Sequence, residues 1–183
     1  MAGWIFLGVI AVIAAWAVAI FNKLVKNRNL VLEGWSGIDV QLKRRYDLIP
    51  NLVETVKGYA KHEEGTLSKV VELRNAAGKA QTAGEKAPLE NALTGMLRQV
   101  FALAEAYPDL KANQNFLDLQ VRLTEIEEQI QFARRYYNGA VRDMNILVQS
   151  FPSNLIARSF GFNEAEFFEM ELEAEREAPK VQF

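Results

Sequence analysis

Cysteine is missing from this 183-residue sequence, and histidine occurs once, at His62. Without cysteine there can be no disulfide, thiolate nucleophile or cysteine-bound metal. One histidine cannot supply the two Glu-x-x-His pairs of a di-iron bundle, and no Ser-His-Asp grouping is assembled. Gly78-Lys79 lacks the preceding glycine spacing and the following hydroxyl of a phosphate-binding loop. The sequence therefore predicts no catalytic residue, no metal site and no cofactor, and an enzyme is not expected.

A strong net charge is also lacking, because 21 basic residues nearly balance 23 acidic ones and leave −2. The whole chain therefore has no general attraction for nucleic acid, and no nucleic-acid partner is expected. Alternating runs of β-branched residues, which are typical of strands, are missing too. Half of the residues are hydrophobic and 24% are charged, as in globular rather than disordered chains. The composition predicts an all-α folded protein.

One long apolar run is present at the start, where residues 1–22 contain no charged side chain. About twenty helical residues, at roughly 1.5 Å each, cross a hydrocarbon core about 30 Å thick. The aromatic residues predicted to anchor this segment are Trp4, Trp16 and Phe21. A cleaved signal peptide is the alternative, but the basic region that precedes its apolar core is missing. Residues 1–22 are therefore predicted to be an uncleaved transmembrane helix.

Basic residues follow this segment directly, and we expect Lys23, Lys26 and Arg28 to contact lipid headgroups. Because positive flanks favour the cytoplasmic side, the remainder of the chain is predicted to be cytoplasmic. The periplasmic side is the alternative.

The next segment repeats apolar residues at alternating spacings of three and four, as one face of an α-helix does. The series begins at Trp35 and is interrupted where Arg45 stands. Since only Gly34 and Gly37 separate it from the apolar run, one long helix is expected to emerge from the membrane. Pro50 should kink this helix, because proline removes an N–H group and clashes with the preceding turn.

Three further helices are predicted, and the first of them begins near Thr66. The next has Pro88 in its first turn and a stripe of inward residues: Leu89, Leu93, Met96, Val100, Leu103 and Tyr107. The last is capped by Asn113 or Asn115, ends before Pro152 and has an unbroken series of inward positions: Phe116, Leu119, Leu123, Ile126, Ile130, Ala133, Tyr137, Ala140, Met144, Leu147 and Phe151. Residues 23–162 are thus predicted to form an antiparallel, four-helix-type bundle of long helices, and residues 163–183 an acidic C-terminal tail.

The segment from Gly34 to Val53 resembles the signature of the LemA family, through Gly34-Trp35-Ser36, Ile38 to Arg45 and Asp47 to Val53. Further matching residues extend the resemblance over nearly the whole chain: Tyr107-Pro108, Leu110-Lys111-Ala112-Asn113, Arg134, Tyr137-Asn138, Asn145 and Phe151-Pro152. The resemblance implies a bacterial inner-membrane protein with one span and a helical-bundle domain. It implies no biochemical activity.

A basic triplet lies about twenty residues beyond the apolar run, so a straight helix would hold it roughly 30 Å from the bilayer. Two interpretations are therefore favoured over lipid, namely pairing within the helix, as between Asp39 and Lys43, and contact with a protein partner. The residues predicted to contact another copy or a partner combine this triplet with apolar tail residues: Lys43, Arg44, Arg45, Phe167, Phe168 and Leu172.

Polar residues beside the apolar stripes form a second predicted group: Asp47, Asn51, Arg134, Asn138 and Asn145. Such residues can fix helix register through satisfied hydrogen bonds, so a structural polar layer is the favoured interpretation, with a partner-binding groove as the alternative. The acidic residues Asp118, Glu125, Glu127 and Glu128 of the last helix are not read as a metal site, and Glu125 and Glu128, which share a helix face, are read as its solvated side.

Together these patterns favour a membrane-anchored scaffold that self-associates and organises the membrane or membrane-bound partners. The alternative is a non-catalytic adaptor for another membrane protein, such as a membrane protease. The predicted partners are the lipid bilayer and further copies of the chain, with other membrane proteins as a further option.

Overall fold

The structure is a computed structural model that describes residues 1–169, and every regular element in that range is helical. The α-helices are α1 (Ala2–Tyr59), α2 (Glu64–Lys79), α3 (Ala83–Leu103), α4 (Pro108–Lys111), α5 (Gln114–Gln149) and α6 (Ser153–Ser159). Two short 3-10 turns lie at Lys61–Glu63 and Ala104–Ala106. The all-α prediction is confirmed.

Helix α1 runs for 58 residues, so the apolar run and the next amphipathic segment form one helix, as predicted. Pro50 lies inside this helix and does not end it. The most apolar 18-residue window has a mean hydropathy of 2.6, and none of it is buried by the protein. Trp4 and Trp16 are among its exposed side chains. An apolar surface of this length that the protein leaves uncovered is suited to a hydrocarbon environment.

The starts of α3 and α5 follow local capping chemistry. Thr82 accepts a hydrogen bond from the Glu85 amide, and the Glu85 side chain accepts one from the Thr82 amide. Helix α3 therefore begins at Ala83, earlier than predicted, and Pro88 lies beyond its first turn. Asn113 caps α5 by accepting a hydrogen bond from the Phe116 amide at 3.0 Å, as predicted.

One compact unit contains residues 39–131 and 168–169. Its core combines apolar side chains from α1 to α5: Ile49, Leu52, Val56, Val70, Leu93, Val100, Leu110, Phe116, Leu119 and Leu123. The predicted inward residues of α3 are all buried or half-buried. The buried face of α3 also includes the polar residues Lys86, Glu90 and Thr94, which an apolar pattern does not select.

The other compact unit contains residues 1–38 and 132–167. Gly34 permits close helix approach here, because a Cβ atom on it would lie 3.0 Å from the Cα atom of Tyr137. Trp35 packs on the Tyr137 ring with centroids 5.6 Å apart. Nearer to the apolar run, α1, α5 and α6 share a small core: Leu24, Met144, Leu147, Ala157 and Phe162.

The unbroken series of inward positions on α5 is confirmed up to Leu147, since each of its side chains is buried or half-buried. Phe151 is wrong as an inward residue, because it is 79% exposed. The helix ends at Gln149, so the helical spacing no longer determines where residue 151 lies.

Candidate functional site

A buried ion cluster occupies the core position where Arg45 interrupts the apolar seam of α1. One Arg45 nitrogen donates to Glu90 of α3, and the other terminal nitrogen donates to Glu127 Oε2 at 2.7 Å and Thr94 Oγ1 at 2.9 Å. The Tyr46 hydroxyl donates a hydrogen bond to the second carboxylate oxygen of Glu90. Arg45 and Glu90 are fully buried, whereas Glu127 is 26% exposed. The cluster joins three helices within one unit.

The environment of this cluster perturbs its titrating groups. Burial lowers the pKa of Arg45, while the charge of Glu127 opposes that effect. Burial raises the pKa of Tyr46 to about 12, and the nearby Arg45 charge acts in the opposite direction. The Nε atom of Arg45 is buried and has no hydrogen-bond partner among residues 1–169. A buried arginine with two carboxylates resembles a structural ion cluster, which can specify register between helices.

This arrangement corrects one sequence interpretation. Arg45 is wrong as a contact for another chain, because its side chain is buried and bonded within its own chain. Glu127 accepts hydrogen bonds from Arg45 and, at 3.0 Å, from Gln131. Lys43 and Arg44 are exposed, so their predicted contact with a partner stays a prediction.

Sequence reasoning did not select Lys86, Glu90 or Thr94. Lys86 is buried and pairs with Asp39 at 2.9 Å. The available signal was the arginine itself, because an arginine at a core position requires an acidic partner on a facing helix.

A second polar arrangement attaches the segment after α6 to α5. The Asn145 side chain accepts a hydrogen bond from the Ala165 amide at 2.8 Å and donates one to the Ala165 carbonyl at 3.0 Å. The Tyr137 hydroxyl donates to the Glu166 carbonyl at 2.8 Å. Burial raises the pKa of Tyr137. The folded part therefore continues past the predicted boundary at residue 162.

The residues of the predicted polar layer differ in their surroundings. Asn145 makes satisfied side-chain hydrogen bonds of the predicted kind, whereas Asp47 and Asn51 are exposed and their place in a structural polar layer stays a prediction. Arg134 and Asn138 are half-buried. Their membership of a polar layer stays a prediction.

The apolar tail residues predicted to contact another copy or a partner differ in how far they are buried. Phe167 is partly exposed, but Phe168 is fully buried and is therefore wrong as a contact for another copy. Leu172 lies outside the described residues.

The basic residues after the apolar run form a collar, here defined as Lys23, Lys26 and Arg28, and all three are exposed. The Arg28 guanidinium lies 5.4 Å from the centre of the Phe162 ring. The predicted anchor residue Phe21 packs edge-on against Phe160 and Phe162, with ring centroids 4.9 and 5.8 Å away. The collar is thus placed where the apolar run meets the folded part of the same unit.

A cavity of about 370 Å³ lies between the end of α1 and α2. Its lining mixes apolar and charged side chains: Val53, Lys57, Ala60, Lys61, Glu64, Leu67, Ser68 and Val71. Within residues 1–169 there is no group of three or more His, Cys, Asp or Glu side chains placed to hold a metal ion. The cavity offers a place for a ligand or peptide side chain.

Comparison with known proteins gives a consistent set of relatives. The LemA family model matches residues 34–183. Protein LemA of Metamycoplasma hominis is 27% identical over 83% of this chain and 70% of its own length. Magnetosome protein MamQ 2 of Paramagnetospirillum magneticum is 24% identical over 73% of this chain and 59% of its own length. Magnetosome protein MamQ of Magnetospirillum gryphiswaldense is 20% identical over 73% of this chain and 58% of its own, so this chain spans under two thirds of the MamQ proteins.

Proposed function

Because this chain belongs to the LemA family and fits a single-pass membrane protein, we propose that it is a membrane-anchored scaffold whose copies associate side by side. The names of its relatives specify no reaction. On this proposal the chain organises the membrane or proteins attached to it and does not act on a substrate.

The observation that carries the proposal is an apolar outer face on α5, here defined as Phe132, Tyr136 and Ile146. All three side chains are about half exposed. At about 100° per residue they lie within an arc of roughly 80° on the helix. The residues that α5 buries in the same unit, such as Tyr137 and Met144, lie on the other side of the helix. The same arc holds the exposed carboxylate of Asp143, so the face is apolar in part. Exposed apolar side chains grouped in this way favour a protein contact.

Membrane anchoring makes a weak contact at this face effective. Copies that share one topology present the outer face of α5 at the same height above the bilayer. Confinement to a surface also raises their effective concentration. Small residues in the apolar run, Ala11, Ala15 and Ala19, recur every four positions and permit close approach of helices in lipid. These features support a second copy as the occupant of the outer face.

The test is the mass of the full-length protein in a mild detergent. The wild type is expected to form a defined oligomer, and Phe132→Glu/Ile146→Glu is expected to shift it towards monomer because two charges would enter the apolar contact. Thr124→Glu/Gln149→Glu adds the same charge at exposed polar positions of α5 and should leave the mass unchanged. A monomeric wild type, or an equal effect of both double variants, would contradict the proposal.

An adaptor role is the second candidate, favoured by the cavity between α1 and α2. Its apolar wall, which includes Val53 and Leu67, and its basic rim of Lys57 and Lys61 suit an acidic peptide with apolar side chains. Capture from native membranes followed by Leu67→Glu separates the two roles. A partner lost with this variant, together with an unchanged oligomer mass, would favour the adaptor.

The side of the membrane is part of the proposal. The collar supports a cytoplasmic position for the helical units, because positive residues next to a span are retained on that side. A reporter that is active only outside the cytoplasm, fused after Phe183, should therefore be silent. Reporter activity would place the units on the periplasmic side.

A further inference from the structure

Three large apolar side chains at and beside helix α6 are left uncovered by the rest of the described chain. Phe151 is 79% exposed, Leu155 is 53% exposed and Phe160 is 62% exposed. Helix α6 is nevertheless firmly placed, because Ala157 is buried and Ile156 packs in the core shared with Leu24. Leu155 therefore belongs to an ordered helix, Phe151 and Phe160 flank that helix, and all three apolar side chains are exposed to the surroundings.

The position of α6 along α1 indicates what those surroundings are. From Trp4 to Phe21, helix α1 rises about 25 Å, and by Leu24 it has risen about 30 Å, the thickness of a hydrocarbon core. The Phe160 ring lies 4.9 Å from the Phe21 ring, centroid to centroid. Contacts within one unit thus hold α6 at the level where α1 leaves the hydrocarbon.

The charges around α6 suit lipid headgroups. Helix α6 contains Arg158 and no acidic residue, and the Arg158 side chain is exposed. The collar of Lys23, Lys26 and Arg28 lies on α1 within about two turns of Phe21. An element with exposed aromatic and aliphatic side chains next to basic ones is typical of segments that lie in the membrane interface.

We propose that α6, with Phe151 and Phe160 beside it, is a second membrane contact that lies in the interface next to the span. Phe151, Leu155 and Phe160 insert at the boundary between headgroups and acyl chains, and Arg158 and the collar contact headgroup phosphates. The unit is then attached to the bilayer at two points and cannot swivel freely about a single helix. This contact is a property of one chain and does not depend on self-association.

The absence of cysteine makes the test direct, because one introduced cysteine gives one label. A nitroxide is attached to Phe151→Cys or Leu155→Cys in the full-length chain, in vesicles of three parts phosphatidylcholine to one part phosphatidylglycerol. Collisions with oxygen, which partitions into lipid, are compared with collisions with a water-soluble nickel chelate. Leu32→Cys is the matched control, because Leu32 is similarly exposed on the same unit but lies about 16 Å beyond Phe21 along α1. Val12→Cys marks the span itself.

The expected result is an oxygen-to-nickel ratio at Phe151 and Leu155 several-fold above that at Leu32 and nearer to that at Val12. A ratio equal to that at Leu32 would overturn the proposal, because α6 would then be in water. Protection from both reagents would overturn it too, because another protein surface would then cover α6. A water-like value at Val12 would show that the span itself has failed, and with it the interface that the proposal requires.

Discussion

Replacing Arg45 with methionine should destabilise the helical fold strongly. The side chain that is removed is 1% exposed, and the Glu90 carboxylate that it leaves behind is 0% exposed. Removal of one partner from a buried ion pair costs about 3–5 kcal/mol, because the remaining charge cannot reach water. We expect Arg45→Met to lower the free energy of unfolding by that amount.

The matched control is Arg45→Met/Glu90→Leu, which removes both buried charges. Apolar replacement of a whole buried pair is often neutral or stabilising, by about 1–4 kcal/mol. Glu127 is partly exposed and can be solvated when Arg45 is absent. We therefore expect the double variant to recover most of the stability that the single variant loses.

Urea unfolding of the full-length chain in nonionic detergent, followed by circular dichroism at 222 nm, measures these differences. A decrease of less than about 1 kcal/mol in the free energy of unfolding of Arg45→Met would contradict the role of a buried pair, since solvent-exposed pairs contribute in that range. A double variant as unstable as the single one would also refute it, because the loss would then not come from an uncompensated Glu90.

Three further outcomes follow from individual contacts. The difference in absorbance at 295 nm between wild type and Tyr46→Phe, followed with pH, should have its midpoint at about 12. Because the pKa of Tyr46 is about 10 in the unfolded chain, the stability that neutral Tyr46 contributes should be present below pH 10 and be lost as the pH rises towards 12. Gly37→Ala should raise the free energy of unfolding by about 0.5–1 kcal/mol. Gly34→Ala should have a lower free energy of unfolding than Gly37→Ala, because the new Cβ atom would lie 3.0 Å from the Cα atom of Tyr137. Asn145→Ala should cost about 1–3 kcal/mol and speed hydrogen exchange at the Ala165 amide, which loses its 2.8 Å acceptor; unchanged exchange would contradict this role.

The long helices could be predicted because they bury one apolar face over many turns. The inward series from Phe116 to Leu147 has the regular spacing of such a face, and the structure buries or half-buries each member. Prediction failed at Phe151, where the helix has ended and helical spacing no longer applies. A different argument joined the apolar run to the amphipathic part of α1: only Gly34 and Gly37 separate them, and the structure confirms one continuous helix.

The ion cluster could not be assembled from the sequence because its members lie far apart along the chain. Arg45 interrupts a seam visibly, but nothing local distinguishes Glu90 from the other glutamates, since partner choice depends on how the helices pack. The exposed face of α6 was missed for a related reason. Its apolar residues become a surface feature only when the packing of Ala157 and Phe162 shows which side of α6 is covered.

The central claim, that copies of this chain associate in the membrane, is tested most directly by energy transfer between copies in vesicles. Donor and acceptor dyes are placed at Asn29→Cys, an exposed position in an otherwise cysteine-free chain. Lipid is then added by fusion to lower the surface density of protein. If copies associate, energy transfer between wild-type chains should persist at surface densities where random proximity gives none. Transfer at the same densities should be lower for Phe132→Glu/Ile146→Glu than for the wild type. Wild-type transfer that declines with density to the random level would contradict the claim that copies associate.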